Sequence, residues 1–326
     1  GFEFEHGGSS RNGLDWYLTG NHFHDDGWRP LSSTEVRQLF ARAGWQKQST
    51  RIGLSFSLAG NELYGNGLQE MRLLAKDYSS LFTTPDYTHN RSPFFNLTVQ
   101  HAASSELTFS GNAYFRYLRA DTFNGDLNEG SLDESVYTLS AADQAALTAA
   151  GYKGFPTGTQ SAATMPFPFW RCIAQALQHD EVIEKCNGIL TTTWTRQHNY
   201  GFSGQVTWAA SPNGHANQFT AGVAGDYSGV RFQQSQQFAY LNPDRSFTPV
   251  NAFANGTTNS NGDPYDTRVF LHGKPQTFSI FFTDTLSLTS RLSLNVSGRY
   301  NRTTIGNADR LPPAVTRGSL TGHYVF

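Results

Sequence analysis

The stretch Arg51-Ile-Gly-Leu-Ser-Phe-Ser-Leu58 alternates apolar residues with small or polar ones. The same period of two appears at 14–19 and at 292–300, where the polar positions carry Asp, Ser, Asn and Arg. Successive side chains of a β-strand point to opposite faces, so each stretch predicts a strand with one apolar and one polar face. An aromatic-rich apolar face and a polar face suit a sheet between lipid and water, which predicts a transmembrane β-barrel.

The composition agrees with this prediction and argues against other classes. Only 15% of the 326 residues are charged, against roughly 25% in typical soluble domains, whereas 14% are aromatic. The net charge of −2 does not favour a nucleic-acid partner, which usually requires a basic stripe. No run of about 18 apolar residues is present, so no transmembrane helix is predicted. A secreted soluble β-sandwich has a similar composition, and composition alone leaves it open.

Alternation predicts about eleven strands along the chain. They are expected at 1–6, 12–22, 35–46, 50–60, 92–102, 105–118, 189–209, 217–231, 275–288, 291–304 and 318–326. The segment 189–209 is too long for one regular strand, and its first half alternates poorly. Asp284 shares the parity of the apolar Phe278, Ile280 and Phe282, so we expect it near a membrane interface or beyond a bulge.

Short and long connections follow each other in strict alternation. The short ones are 7–11, 47–49, 103–104, 211–216 and 289–290. The long ones are roughly 23–34, 61–91, 119–188, 232–274 and 305–317. This asymmetry is typical of outer-membrane barrels, whose turns are short on the periplasmic side and whose loops are long outside the cell.

The longest loop carries both cysteines of the chain and two helix-like passages. Cys172 and Cys186 are expected to form a disulfide, which implies an oxidising compartment; two free thiols are the alternative. The run 140–147 predicts a helix with Ser140 as its N-cap, and a second helix is expected near 171–185.

Several runs of the chain resemble the barrel of TonB-dependent outer-membrane receptors. They are Asn61-Glu-Leu-Tyr-Gly-Asn-Gly67, Phe82-Thr-Thr-Pro-Asp-Tyr-Thr-His-Asn90 with the following Phe94-Phe95, Asp25-Asp-Gly-Trp-Arg29, Tyr240-Leu-Asn-Pro-Asp-Arg245 and Gly298-Arg-Tyr-Asn301. The resemblance extends over nearly all of the chain. It identifies residues 1–326 as a partial barrel without a plug domain.

The resemblance implies an all-β, antiparallel barrel of about 22 strands, of which this chain would supply about half. It implies a bacterial outer-membrane protein with extracellular loops, which imports a scarce small molecule such as a ferric siderophore. Its expected partners are outer-membrane lipid, the metal chelate, and the TonB energy-coupling complex, reached through a plug and box that this sequence does not contain. No cofactor and no nucleic acid is expected.

Both ends of the chain lie in strand-like sequence, so we expect it to be cut from a longer protein with a secretory leader upstream. Two raw sheet edges in lipid are expensive because their backbone groups are unpaired. We therefore expect that the chain alone cannot form a working transporter.

Three groups of loop residues are candidates for ligand contact, each with a structural alternative. Phe167, Phe169, Trp170 and Arg171 can cap a ligand or form the core of the stapled loop. His22 and His24 lie two residues apart and can face one metal ion, or they belong to a polar strand end. Asp126, Asn128, Glu129, Asp133 and Glu134 can bind calcium through oxygen ligands or form a solvated loop.

Parity also assigns residues to the two faces. Trp45, Phe95, Phe115, Trp208 and Tyr227 are expected to face lipid. Arg51, Arg116 and Arg299 have the opposite parity and are expected in the lumen. There they can steer anionic cargo, contact a plug, or pair with neighbouring acids.

An enzymatic function is not predicted, because the sequence has no GxSxG, HExxH or P-loop motif. Two other functions stay open. One is a passive porin-type channel, which shares the alternation and the loop asymmetry. The other is a secreted soluble β-sandwich that binds a ligand through its loops.

Overall fold

The computed structural model describes residues 1–65, 67, 69–252, 266–311 and 317–325. Eleven long strands and one short strand form one antiparallel sheet. The strands are β1 (Phe2–Ser9), β2 (Leu14–Asp25), β3 (Thr34–Lys47), β4 (Thr50–Tyr64), β5 (Asp86–Ala102), β6 (Leu107–Leu127), β7 (Gly188–Ala210), β8 (Asn217–Leu241), β9 (Phe247–Pro249), β10 (Asp266–Thr289), β11 (Leu292–Asp309) and β12 (Arg317–Val325). The helices among the described residues are all too short or too polar to cross a membrane.

Each long strand pairs with its neighbours in chain order, and β9 adds to the free edge at the end of β8. The eleven predicted strands therefore exist, and only the last predicted position, 326, lies outside the described residues. The doubt about 189–209 was wrong, because β7 is a single continuous strand from Gly188 to Ala210. Its first half alternates poorly because threonine and other polar side chains occupy both of its faces.

The longest extensions of the strands beyond their predicted limits lie at the long-loop end, whereas β1 extends from 6 to Ser9 towards its short turn. β6 continues to Leu127 instead of 118, and β8 continues to Leu241 instead of 231. Alternation marks only the part of a strand that has lipid on one side and water on the other. The outer parts have polar groups on both faces, so their sequence carries no period of two.

The connections divide by length as predicted. Five short turns, at 10–13, 48–49, 103–106, 211–216 and 290–291, alternate with connections at 26–33, 65–85, 128–187, 242–265 and 310–316. In an antiparallel meander, successive connections lie at opposite ends of the strands. Every short turn therefore lies at one end of the strands, and every long connection lies at the other end.

Register separates an apolar outer face from a polar inner face. Leu54 pairs with Leu97, and farther along the sheet Phe202, Val223 and Ile280 occupy the same face. These five side chains are 40–53% exposed. The predicted lipid-facing residues Trp45, Phe95, Phe115, Trp208 and Tyr227 share this face. A continuous exposed apolar face of this extent requires a non-aqueous neighbour, which a lipid bilayer supplies.

The register also shows how strongly the strands are tilted. One hydrogen-bonded row crosses eight strands, from His22 to His272. His22 lies eight residues beyond Leu14, where β2 begins, but His272 lies seventeen residues before Thr289, where β10 ends. The distance from the row to the short-turn end therefore grows by nine residues over seven steps between neighbouring strands. With about 3.3 Å per residue and about 4.8 Å between strands, this stagger corresponds to a strand tilt of about 40° if the short turns lie at one level. The full row is His22, Arg37, Gly60, Arg91, Arg119, Arg196, Arg231 and His272.

Asp284 lies on the apolar face, in unbroken register with Phe282, because the bulge in β10 comes later, between Ser287 and Thr289. Its carboxylate accepts a hydrogen bond from Nδ2 of Asn217, the first residue of β8, at 2.8 Å. The expected position near the short turns is therefore confirmed, and a neighbouring strand end satisfies the charged group.

The two faces of β5 offer a direct test of the lipid contact. We expect Leu97→Lys, on the apolar face near its middle, to lower the free energy of unfolding in vesicles by about 2–4 kcal/mol. The adjacent Thr98→Lys, on the polar face, removes one hydrogen bond to the Gly53 carbonyl and should have a smaller effect, about 1 kcal/mol. Urea unfolding of the full-length protein containing this chain measures both. Equal losses would show that the two faces contact the same medium.

Candidate functional site

The inner face of the sheet is a lattice of polar side chains. Nδ2 of Asn112 donates to Oδ1 of Asn96 at 3.2 Å, and the Tyr114 hydroxyl donates to Asp226 at 2.6 Å. Oγ1 of Thr207 and Thr220 lie 3.0 Å apart. Such hydroxyl, amide and carboxylate groups suit a water-filled interior, since they both hydrogen-bond to each other and leave donors and acceptors free for solvent or cargo.

Arg51, Arg116 and Arg299 all lie on this polar face, as parity predicted. Arg299 donates from Nε to Oδ1 of Asn301 at 2.8 Å and lies over the Phe281 ring. Within the described residues, none of the three forms an ion pair with an acid. They therefore keep their charge available to the lumen, and their role towards cargo or a plug stays a prediction.

The connection between β6 and β7, residues 128–187, folds into a small subdomain that we call the loop subdomain. It contains α2 (Ala141–Ala149), α3 (Trp170–Gln178) and α4 (Val182–Lys185), and the described part of the 65–85 connection adds the earlier α1 (Met71–Leu74). Ser140 caps α2 as predicted, and it forms a reciprocal capping box with Asp143. Leu139, Leu147 and Ala174 are buried together between α2 and α3.

The predicted disulfide between Cys172 and Cys186 is present and closes a loop of 14 residues around α3 and α4. Both half-cystines are buried beside Val182, Phe238 and Val250. Phe238 has the inner-face parity of β8, so the loop subdomain packs against the same face as the polar lattice, beyond the apolar band. The subdomain therefore covers the polar inner face at the long-loop end of the strands.

Asp143 fixes the loop subdomain from within, because its carboxylate is fully buried and ties the start of α2 to α3. It accepts from the Ser140 backbone at 2.7 Å, from Gln175 at 2.6 Å and from Gln178 at 3.0 Å, and Nε of Arg171 lies 3.7 Å away. Burial raises the pKa of Asp143, but the hydrogen bonds from Ser140, Gln178 and Gln175 outweigh it, so the pKa lies below its usual value. Sequence patterns identified Asp143 only as a helix residue.

The aromatic candidates lie where the loops meet. Phe169 contacts Trp170 and Tyr240, with ring centroids 4.7 and 5.3 Å away, and Trp170 packs on the core beside Phe155. The Arg245 guanidinium lies over Phe167 at 5.8 Å. Much of this cluster thus forms the structural alternative, a core under the disulfide, while its contact with a ligand stays a prediction. Arg171 is likewise engaged, because it also donates to the Ser135 carbonyl.

Side chains link four long connections into one layer, which we call the canopy. Trp28 of 26–33 stacks on Tyr78 of 65–85 at 5.0 Å between ring centroids. Arg245 lies over Phe82 as well as Phe167, and its carbonyl accepts from the Thr84 amide at 3.0 Å. The runs around Trp28, Phe82 and Arg245 carry the resemblance described above, but the sequence did not predict their contacts, because contacts between distant loops leave no local pattern.

His22 and His24 lie on the outer face of β2, the same face as Leu14 and Trp16. Nε2 of His22 is 2.9 Å from Glu35, whereas Nε2 of His24 is 3.0 Å from Asp26. The two imidazoles therefore contact different carboxylates and do not converge on one point. Across the described residues, no group of three or more His, Cys, Asp or Glu side chains is placed to hold a metal ion.

The acidic residues near the start of the loop subdomain separate rather than converge. Asn128 is buried and donates to the Ile183 and Cys186 carbonyls, which pins the loop to α4. Glu134 accepts from Nζ of Lys185 at 3.0 Å. Burial lowers the pKa of Lys185, but hydrogen bonds to Glu134 and Glu184 raise it above its usual value. These contacts give Asn128 and Glu134 structural roles, and across the described part of the chain no three acidic side chains are grouped to hold a calcium ion.

Comparison with solved structures shows a known fold, although no protein-family profile and no curated sequence matches the chain. The ferric citrate transporter FecA in its unliganded form has a TM-score of 0.68, 10% identity, and covers 99% of this chain and 37% of its own. For the siderophore receptor PiuA from Acinetobacter baumannii, the TM-score is 0.61 and the identity is 8%, and the match covers 99% of this chain and 43% of the receptor. For BauA, the ferric preacinetobactin receptor of the same organism, the TM-score is 0.56 and the identity is 10%, and the match covers 98% of this chain and 41% of the receptor.

The chain spans less than half the length of these receptors, and its sheet has the fold of part of their barrels. This confirms the predicted fold class, an antiparallel sheet that corresponds to part of a β-barrel. At such low identity, the likeness establishes the fold and not the cargo.

The disulfide should stabilise the canopy more than the barrel. Replacing both Cys172 and Cys186 by Ser removes a crosslink worth about 3 kcal/mol for a loop of this size. We expect faster hydrogen exchange and proteolysis within 128–187, with unfolding of the barrel strands unchanged. The wild type in reductant serves as a control and should behave like the double variant. Unchanged exchange in 128–187 would contradict the proposed anchoring.

The buried Asp143 predicts an acid limit for the loop subdomain. A carboxyl whose pKa is lowered by folding stabilises the fold above its unfolded pKa, about 3.9, and this stabilisation is lost as the pH falls through the folded pKa. The protection of 128–187 against hydrogen exchange, corrected for the pH dependence of intrinsic exchange, should therefore fall below about pH 4. Asp143→Asn should destabilise the subdomain by about 1–3 kcal/mol at neutral pH and weaken this pH dependence. The exposed Asp133→Asn is the matched control and should do neither.

Proposed function

We propose that this chain is part of the barrel of a TonB-dependent outer-membrane receptor that takes up a scarce ligand, with a ferric siderophore as the best candidate. The observation that carries the proposal is the canopy, a disulfide-anchored loop layer packed over the mouth of a polar inner face. The solved structures with this fold that are named above are ferric and siderophore receptors. No residue of this chain is assigned a catalytic role.

The location follows from the same geometry. Long connections at one edge and short turns at the other favour an orientation with the canopy outside the cell and the short turns in the periplasm. Energy coupling would require the TonB complex, acting through a plug and a coupling box in other parts of the protein. The chain supplies the wall of the lumen and the capture surface.

Binding, rather than bond chemistry, is the mechanism that these residues support. Arg51, Arg116 and Arg299 of the inner face attract an anionic chelate, because none of the three is paired with an acid within the described residues. The aromatic side chains of the canopy offer apolar and π-faces to a catecholate or similar ligand. Rigid anchoring of the canopy reduces the entropy lost when the ligand is captured.

The two alternatives differ in what they need from this structure. A passive porin does not require a long loop with its own core and disulfide over the mouth of the lumen. A soluble β-sandwich does not fit a continuous exposed apolar face that extends from β1 to β11. Both alternatives remain distinguishable by transport measurements on the intact protein.

A paired substitution on β11 tests the role of the lumen charge. Arg299→Gln removes a cation from the inner face, whereas Arg302→Gln removes one from the outer face of the same strand. In iron-limited cells that depend on the full-length protein, we expect Arg299→Gln to lower the uptake of radiolabelled ferric citrate or ferric catecholates. A loss of about tenfold corresponds to about 1.4 kcal/mol. Arg302→Gln should leave uptake unchanged.

Deletion of the gene gives the more general outcome. Loss of growth on one ferric chelate, and dependence of that growth on TonB, would support the receptor proposal. Diffusion of unrelated small solutes without TonB would favour the porin, and recovery of the protein in the soluble fraction would favour the β-sandwich.

A further inference from the structure

The outer face carries a pocket directly beyond the apolar band, which we call the arginine pocket. Its volume is about 890 Å³, and its wall includes Arg37, Arg91 and Arg119 together with the apolar Leu39 and Leu58. Arg37 pairs with Gly60, Gly60 with Arg91, and Arg91 with Arg119, so the three guanidinium groups belong to one row across β3 to β6. The proposed function uses the inner face and does not account for this pocket.

The position of the row matches the level of lipid headgroups. Arg37, Arg91 and Arg119 lie ten to twelve residues from the short-turn ends of their strands at Lys47, Ala102 and Leu107. At about 3.3 Å per residue and a tilt of about 40°, this distance is about 25–30 Å above the short turns. The apolar band of such barrels is about 25 Å tall, so the row begins where the hydrocarbon ends.

Gly60 leaves the floor of the pocket open between the arginines. A Cβ atom there would meet only the Asn90 carbonyl oxygen, at 3.6 Å, so the space beyond it is free. Along β4, Leu58 lies two residues towards the apolar band on the same face. A ligand in the pocket thus has arginines at its sides and an apolar surface on its membrane side.

The acids of the pocket orient the outer two arginines but not the central one. Glu35 accepts from Nε of Arg37 at 2.8 Å, and Asp121 accepts from Nε of Arg119 at 2.7 Å. A guanidinium has five N–H donors, so both retain free donors. Arg91 has no ion pair within the described residues and lies directly opposite Arg119, a like-charge pairing that an anion between them would relieve.

The acids also give the pocket a polarity along the membrane normal. Glu35, Glu62 and Asp121 lie two residues farther from the apolar band than the arginines of their strands or the Gly60 position. Positive charge therefore lies next to the hydrocarbon, and negative charge lies outside it. Among the charged groups of a lipid, the phosphate lies nearest to the acyl chains, so this order fits a phosphate-bearing headgroup.

We propose that the arginine pocket binds the phosphate of an outer-leaflet lipid headgroup, with the acyl chains lying on the apolar face below. Arg91 makes the central contact, while Arg37 and Arg119 are held for it by Glu35 and Asp121. The inference rests on the proposed membrane location but not on the identity of the cargo.

The test uses the full-length protein in detergent and native mass spectrometry with added lipid A. We expect diphosphorylated lipid A to bind, and its chemically dephosphorylated form to bind at least tenfold more weakly, because it cannot accept charge-assisted hydrogen bonds from the arginines. Arg91→Gln should give a similar loss, and Gly60→Glu, which places a carboxylate in the pocket, should abolish binding. Arg231→Gln, in the same row but outside the pocket, is the matched control and should have no effect.

Three results would overturn the proposal. These are equal binding of both lipid forms, equal loss in Arg91→Gln and Arg231→Gln, and displacement of lipid A by millimolar inorganic phosphate, which would indicate a site for free anions. Uptake of ferric chelates should be unchanged in Arg91→Gln. Failure of lipid binding with intact uptake would therefore reject this site alone, whereas lipid binding without uptake would reject only the proposed cargo.

Discussion

The structure depends on the requirement that backbone N–H and C=O groups cannot be left unpaired in hydrocarbon. A continuous antiparallel ladder meets this requirement, and it fixes the register of every strand to its neighbour. Since a slip of one residue would exchange the two faces, the ladder also sorts the side chains. Leu54 and Leu97 lie on the exposed apolar face, while Asn96 and Asn112 hydrogen-bond to each other on the other side. The lumen, the lipid contact and the tilt all follow from that one register.

Beyond the lipid, a different source of stability takes over. The long strands emerge from the apolar band and carry a loop layer with its own small core around Cys172, Cys186 and Phe238. Asp143 joins the helices inside this layer, and Arg245 joins neighbouring loops to it. A loop layer beyond the paired strands must hold its shape without a backbone ladder of its own, and the buried polar contacts and the disulfide stabilise that shape.

Sequence patterns predicted the parts of the molecule that obey a local rule. The period of two located all eleven long strands, and capping chemistry located α2 at Ser140. Strand ends were missed beyond Leu118 and Arg231, because alternation stops where lipid stops. The outer-face placement of His22 and His24, the burial of Asp143 and the stacking of Arg245 also escaped prediction, since each depends on residues far away in the chain. The arginine row was equally hidden, because its members are neighbours only across strands.

The most direct test of the central claim is the environment of successive residues along β5. Single cysteines at each position from 86 to 102 of the full-length protein can be spin-labelled in a bilayer, and their accessibility to oxygen and to a water-soluble nickel complex compared. The account predicts a period of two over 92–102, with 95, 97 and 99 accessible to oxygen and 96, 98 and 100 accessible to nickel, and no such period over 86–91. Nickel accessibility at both parities throughout 92–102 would contradict a sheet that separates lipid from water.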